Sequence, residues 1–297
     1  YRRQRQMCIR DSEGTLLSPQ HFQQQGLWEA LTKQQLACLT TPFFWGLRQM
    51  QLDEEALYTG KLKVEMVNAQ LRDGTLIYSE RTGDLPAPRD LEADIPEDVN
   101  SVDVWLGTPE LDPRGNNLQP DSDTVTHEAR RYYRRFQSVS DLIGNHSEEI
   151  AVEQLSLRLL FGFENRDAFS CIPLIRLQRD RLNRFTIDRY YIPPVLCLSA
   201  SKSLMSIAQR LEDRLYTKYS RLSEQRHART QKAADFRVSD VTLFLLLHCI
   251  NQAWPELRHL NNNPEYHPQL LYLSLIKLAA GLSAFSFEYE LSTLPDY

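Results

Sequence analysis

Few residues in this chain are of a type and spacing that could do chemistry. His248 and Cys249 adjoin one another, the clearest place where an imidazole stands beside a thiol. They lie in the most apolar run, Val241 to Ile250, so a buried structural imidazole is expected there and not an activated nucleophile. His259 and His267 are eight residues apart across a Pro-containing loop, which matches no metal-ligand spacing. His267-Pro268 reads better as the cap region of a helix. Glu54-Glu55 and Glu148-Glu149 are adjacent pairs, and neighbours at i, i+1 do not share a face, so neither suits an acid/base couple. There is no G-x-S-x-G elbow, Walker loop, G-x-G-x-x-G or H-E-x-x-H. The expectation is a non-enzyme with no catalytic residue, metal or cofactor.

Arg130-Arg131-Tyr132-Tyr133-Arg134-Arg135-Phe136 interleaves cations and rings as single-stranded nucleic-acid sites do. It follows Asp84 to Asp123, where eleven acids face only Arg89 and Arg114, a net charge of −9. Those acids are ready counter-charges, so a solvated strand or helix edge is the expected reading. The acidic stretch also holds six prolines. It is expected to form exposed loops around one strand at Val102–Leu106, with a partner-docking surface as the sharper alternative. Over the whole chain 34 Lys and Arg stand against 39 Asp and Glu, net −5. That balance argues against a nucleic-acid partner.

Elements must position whatever these residues do. The 297 residues suggest two domains and can bury a large core without staples. The longest apolar run is about half of the ~20 residues a membrane span needs, so no direct membrane insertion is expected. The five cysteines, at 8, 38, 171, 197 and 249, form no C-x-x-C or Cys/His pattern and are expected to be reduced thiols in a cytoplasm. Residues 1–12, YRRQRQMCIRDS, are basic, lack an apolar stretch and are expected to be a non-native extension.

Two grammars follow. Up to Tyr191 short apolar runs alternate with polar residues. Asp73-Gly74 between Lys61–Leu71 and Thr75–Tyr78 is the strongest hairpin signal. Lys61–Val67, Val102–Leu106, Ile150–Leu155 and Phe169–Leu177 read as strands. Many short strands point to a β-sandwich or related sheet packing. One early helix is capped by Ser18-Pro19, carries Phe22, Gly26, Ala30, Leu31 and Leu36 toward Cys38, and should end at Thr41-Pro42. From Ile192-Pro193-Pro194 onward the spacing is helical. Ser199 or Ser201 caps a helix whose stripe is Leu204, Ala208, Leu211, Leu215, Tyr219 and Leu222. A second helix starts at Ser239-Asp240, is apolar nearly all round through Ile250, and is followed by Pro255. A third starts at Pro268 and aligns Leu271, Leu275, Leu278, Leu282 and Phe285. The fold class is therefore α+β: a β-rich domain over 13–191, a helical bundle over 192–288, and a linker start at 289–297.

Certain motifs carry a resemblance. Glu13-Gly14-Thr15-Leu16-Leu17-Ser18-Pro19-Gln20-His21-Phe22-Gln23-Gln24-Gln25 resembles the opening signature of the TssK family, subunits of the type VI secretion baseplate. The likeness continues through Phe185 to Asp188, Tyr191-Ile192-Pro193-Pro194, Leu260-Asn261, His267-Pro268 with Leu271-Tyr272, Ala280-Gly281-Leu282 with Phe285, and Leu294-Pro295-Asp296-Tyr297. The departure is at the front, where Asp11-Ser12 replace the family's usual tryptophan.

The resemblance implies an N-terminal β-sandwich shoulder, a helical-bundle neck and a C-terminal head that would follow Tyr297. It further implies cytoplasmic homotrimers that dock on TssF and TssG through the shoulder and meet TssL and TssM at the inner membrane through the head. The function so implied is a structural adaptor; the alternative is a phage or tailocin receptor-binding protein with a carbohydrate-binding shoulder. Two sites are expected on this basis. Pro19, Gln20, His21, Phe22 and Gln23 would meet the wedge, unless Phe22 merely pins the helix to the sheet. Leu204, Leu211, Leu215 and Leu222 would form a seam, either between copies or inside one bundle.

Overall fold

A computed structural model of the chain describes residues 18–119, 130–144, 146–230, 238–285 and 291–295. The expected extension over 1–12 with Cys8, the motif at 13–17, residues 120–129 with the end of the acidic stretch at 120–123, and Asp296-Tyr297 lie outside the described residues. The chain divides into two compact units between Asp188 and Arg189.

Antiparallel pairing builds the first unit. It opens with α1 (Pro19–Thr40), β1 (Gly46–Leu52), α2 (Glu54–Tyr58), β2 (Lys61–Leu62), β3 (Val64–Gln70) and β4 (Leu76–Tyr78). There follow α3 (Ser79–Thr82), β5 (Arg89–Asp90), α4 (Leu91–Asp94), β6 (Ser101–Pro109), β7 (Tyr132–Ser140), β8 (Ser147–Leu155), β9 (Arg158–Phe161), β10 (Phe169–Arg179) and β11 (Phe185–Ile187). One sheet has the order β1-β3-β4 and another β11-β10-β6-β9, while β2–β5 and β7–β8 are separate pairs.

Local chemistry explains the joints. Gly74 takes φ 84° and donates to the Leu71 carbonyl at 3.0 Å, closing the expected β3–β4 hairpin. A left-handed φ costs glycine little and other residues more. The Asp73 carboxylate accepts from Thr75 N at 3.0 Å and sets the same turn. Pro173 lies within β10, a central strand, where it cannot donate to a ladder. Its register against β6 shifts between Pro173 and Ile175, so the bulge absorbs it. Leu106, Phe161, Ile172, Leu174 and Leu177 are fully buried in or beside this sheet.

The acidic stretch is more structured than its composition suggests. Leu91 and Ile95 are core residues, Asp84 is buried, and the strand expected at Val102–Leu106 runs to Pro109 as the partner of both β9 and β10. The strand's last four residues, Leu106 to Pro109, are all buried, Gly107 and Thr108 among them, which an apolar count does not reveal. Arg89 shows how a charge is held there. Its guanidinium donates to Asp94, to Glu164 and to the Leu159 carbonyl, and stacks 4.6 Å above Phe161.

The second unit contains α5 (Lys202–Thr230), α6 (Val238–Asn262) and α7 (Pro268–Ser283), preceded by a 3-10 turn at Leu198–Ala200. Ser201 Oγ accepts from Leu204 N at 3.3 Å, which selects Ser201 as the cap residue of α5. Ala208, Leu215, Leu222, Leu243, Leu247, Ile250, Leu257, Leu260, Leu271 and Leu278 form one shared core. Glu212 accepts from Asn261 at 2.6 Å and Glu256 from Ser274 at 2.7 Å, tying α5 to α6 and α6 to α7.

Two expectations fail in α6. Pro255 does not follow the helix but sits inside it. It removes an N–H that would have met the Asn251 carbonyl, yet both residues face water, which can satisfy that carbonyl. Nor is the helix covered on all sides. Val241, Phe244 and Leu245 are exposed, because three helices share only one seam. His248 is exposed too, stacked on Phe244 with 9° between ring planes. The buried structural imidazole is therefore corrected, and Cys249 beside it approaches Gly281 of α7 instead.

His267 caps α7, accepting from Gln269 N at 3.1 Å through Nδ1. Burial holds its pKa below the usual 6.5. As pH falls through that ordinary value the unfolded chain takes up a proton before the folded one does. Stability is therefore complete above about 6.5 and is lost as pH falls toward the depressed folded value. His267→Asn, which keeps an acceptor that does not titrate, should flatten this part of the profile in urea unfolding between about pH 7 and 5. Identical slopes for the two proteins would refute the assignment.

Candidate interaction surface

Helix α1 buries no residue along its 22 positions. Its first turn holds Pro19, Gln20, His21, Phe22 and Gln23. Ser18 N donates to His21 Nδ1 at 3.0 Å, so the histidine is engaged in starting the helix. Phe22 is 62 % exposed and does not pin the helix to a sheet. Contact comes further along: a Cβ on Gly74 would lie 2.7 Å from Gln34 Cγ, so the β3–β4 turn rests on α1 there. Away from that contact Trp28, Leu31, Leu36 and Leu39 are also exposed. A helix with this much open apolar surface is marginal alone in water and gains stability only by packing.

The second expected site is placed differently. Leu215 and Leu222 are buried against α6 and α7 within the same chain, and Leu204 and Leu211 pack partly buried on that core. Tyr219 from the same stripe stays exposed. The heptad-like spacing alone could not say which helix would fill the seam.

The β7–β8 ribbon was legible only in pieces. Nine pairs run from Tyr132–Leu155 to Ser140–Ser147, a length of about 30 Å at ~3.3 Å per residue. Apart from its root it is exposed. Arg131, expected at a solvated edge, is only 5 % exposed just before the root. It donates to the Pro109 carbonyl at 2.8 Å and to Asp73 at 2.9 Å, and it also reaches Thr75 Oγ1. Burial alone would raise the Asp73 pKa, but Arg131 and the Thr75 donors outweigh it and hold the carboxyl below its ordinary value. Beside it Arg135 donates to the Thr82 carbonyl and Gln154 to that of Gly83. Burial and the nearby Asp84 carboxylate push the Tyr133 phenol up.

Among the described residues no comparable network of side chains is arranged for a reaction. A polar cavity of about 140 Å³ is lined by Pro109, Glu110, Asp112, Asn116, Asn117, Arg130 and Arg131, without a nucleophile beside a base. Among the described residues no cluster of three His, Cys, Asp or Glu could hold a metal. No helix among them is long and apolar enough to cross a membrane. Among the described residues the cysteines form no disulfide: Cys38 is exposed, Cys197 buried, and Cys171 and Cys249 half-buried.

The chain combines antiparallel sheets with a helical unit, and the comparisons give its class. The family described as Bacterial Type VI secretion, VC_A0110, EvfL, ImpJ, VasE matches residues 21–297, and the chain belongs to it. Among relatives, the type VI secretion system baseplate component TssK1 of Pseudomonas aeruginosa PAO1 is 28 % identical over 281 residues. That match covers 93 % of this chain and 60 % of TssK1, so the chain spans about three fifths of that relative's length. A chain in the TssK-TssF-TssG baseplate subcomplex aligns with TM-score 0.85 and 33 % identity, over 97 % of this chain and 91 % of that one. TssK of the EAEC type VI system, bound to nanobody nb18, aligns with TM-score 0.78 and 33 % identity over 93 % and 89 %. A chain of the type VI baseplate complex reaches TM-score 0.89 at 34 % identity, over 97 % and 64 %.

Proposed function

We propose that this chain is a structural adaptor of the type VI secretion baseplate, with no enzymatic role. The observation that carries the reading is the alignment over 97 % of the chain with a member of the TssK-TssF-TssG subcomplex. In this reading the β-rich domain over 13–191 is a sandwich shoulder that binds the TssF/TssG wedge. The segment over 192–288 is a bundle neck, and 289–297 leads toward a head that would reach TssL and TssM. The protein acts as a cytoplasmic homotrimer beside the inner membrane. The exposed Val241, Phe244 and Leu245 of α6 supply an apolar face on which copies can meet.

Wedge contact is assigned to the start of α1, where Gln20, Phe22 and Gln23 are open to solvent. Co-purification with TssF and TssG of the same bacterium tests the function. The protein should hold both in a stable complex. Gln20→Ala with Gln23→Ala should weaken it by about tenfold, the cost of one or two interfacial hydrogen bonds. No complex with the unaltered protein would refute the adaptor; an unweakened complex with a folded double variant would remove this site.

A further inference from the structure

The β7–β8 ribbon ends in a way that folding does not explain. Leu142 and Ile143 are the central residues of its turn, which Gly144 closes by donating to the Asp141 carbonyl at 3.0 Å. Such positions ordinarily take Asn, Asp, Gly or Pro for conformational reasons. Here they hold two large aliphatics, Leu142 fully exposed and Ile143 79 % exposed. Val139 and Ile150, exposed as well, lead up to them along one face. A two-stranded ribbon is marginal by itself, yet this one is fixed at its base by the hydrogen bonds of Arg135 and Gln154. Its tip is thus carried outward from an anchored root.

Charge narrows what such a tip can meet. Between Gln137 and Ile150 the chain has Asp141, Glu148 and Glu149 and no Lys or Arg. Phosphate-rich surfaces, whether nucleic acid or anionic lipid, would be repelled, and two such tips would repel each other. We propose that the distal half of this ribbon is a docking arm, its Leu142–Ile143 tip entering an apolar socket rimmed by lysine or arginine on a partner protein. This rests on the adaptor reading, in which that partner surface belongs to the TssF/TssG wedge. Apolar insertion supplies affinity, and the acids supply orientation and a salt-dependent association rate.

The test measures binding of the whole chain to the purified TssF/TssG wedge over a range of salt concentrations. Leu142→Ser with Ile143→Ser should weaken binding by about thirtyfold or more while leaving thermal unfolding unchanged, since both side chains are exposed. Glu148→Gln with Glu149→Gln should fold normally and make binding less sensitive to salt. If the unaltered chain does not bind the wedge, the adaptor reading fails and takes the arm with it. If the unaltered chain binds and both variants match it in affinity and salt dependence, the arm alone is overturned. A tip variant that keeps wedge binding but changes the mass in light scattering would also overturn it, by placing the tip against a second copy.

Discussion

Arg131→Met should remove about 1–3 kcal/mol from the first unit, the cost of leaving a buried carbonyl and a part-exposed carboxylate without their donor. The guanidinium joins three stretches distant in sequence: the Asp73–Thr75 turn, the Pro109 end of β6 and the start of β7. Methionine fills much of the same space but donates nothing, so the Pro109 carbonyl and the Asp73 carboxylate lose their partner. The pH response should change as well. Asp73 is held below its ordinary pKa in the folded protein, so its contribution is present above about 3.9 and is lost as pH falls through the folded value. Without Arg131 only the Thr75 donors oppose the desolvation of Asp73, so its folded pKa rises toward the unfolded value and the loss of stability in acid that this group contributes should shrink in the variant. Hydrogen exchange of residues 64–78 and 101–109, with urea unfolding at about pH 7 and 4, reads both effects. A loss under about 1 kcal/mol would show that water replaces the guanidinium without penalty.

Leu215→Asp and Phe244→Asp should fail in different ways. Leu215 is 7 % exposed within the core shared by α5, α6 and α7. An aspartate there loses a leucine's burial, roughly 1.5–3 kcal/mol, and adds the larger cost of an unpaired carboxylate away from water. The second unit should unfold, with loss of helical circular dichroism. Phe244 is 56 % exposed, so its replacement should leave the fold standing and, in the proposed homotrimer, separate the copies, seen as a drop in mass by light scattering. If Leu215→Asp stays fully folded, the described core is wrong. If Phe244→Asp stays trimeric, copies meet on another face.

The contrast between these residues shows where periodicity stops being informative. The stripe over Leu204–Leu222 signals an apolar seam, since positions three and four apart share a helix face. Whether that seam meets its own chain or another depends on how α6 and α7 fold back. In α6 apolar composition exceeds what the single chain buries. An apolar circumference implied full burial, whereas Val241, Phe244, Leu245 and His248 are exposed in the single chain. Pro255 does not stop the helix, because its exposed position lets water replace the missing bond.

On local grounds the sequence alone determined the Asp73-Gly74 hairpin, the Ser18-Pro19 helix start, the His267-Pro268 cap and the passage from strands to helices near residue 190. Each depends on a few neighbouring residues and on backbone preferences that need no distant partner. The family motifs, which occur in order along the chain, determined the class to which it belongs. Tertiary structure decided the burial of Arg131, the exposure of Phe22 and the reach of the β7–β8 ribbon beyond its root. Those properties depend on segments far apart in sequence, such as Asp73 against Arg131 or Thr82 against Arg135. A guanidinium has the same local preferences whether it ends in water or between two sheets, so only the folded chain distinguishes them.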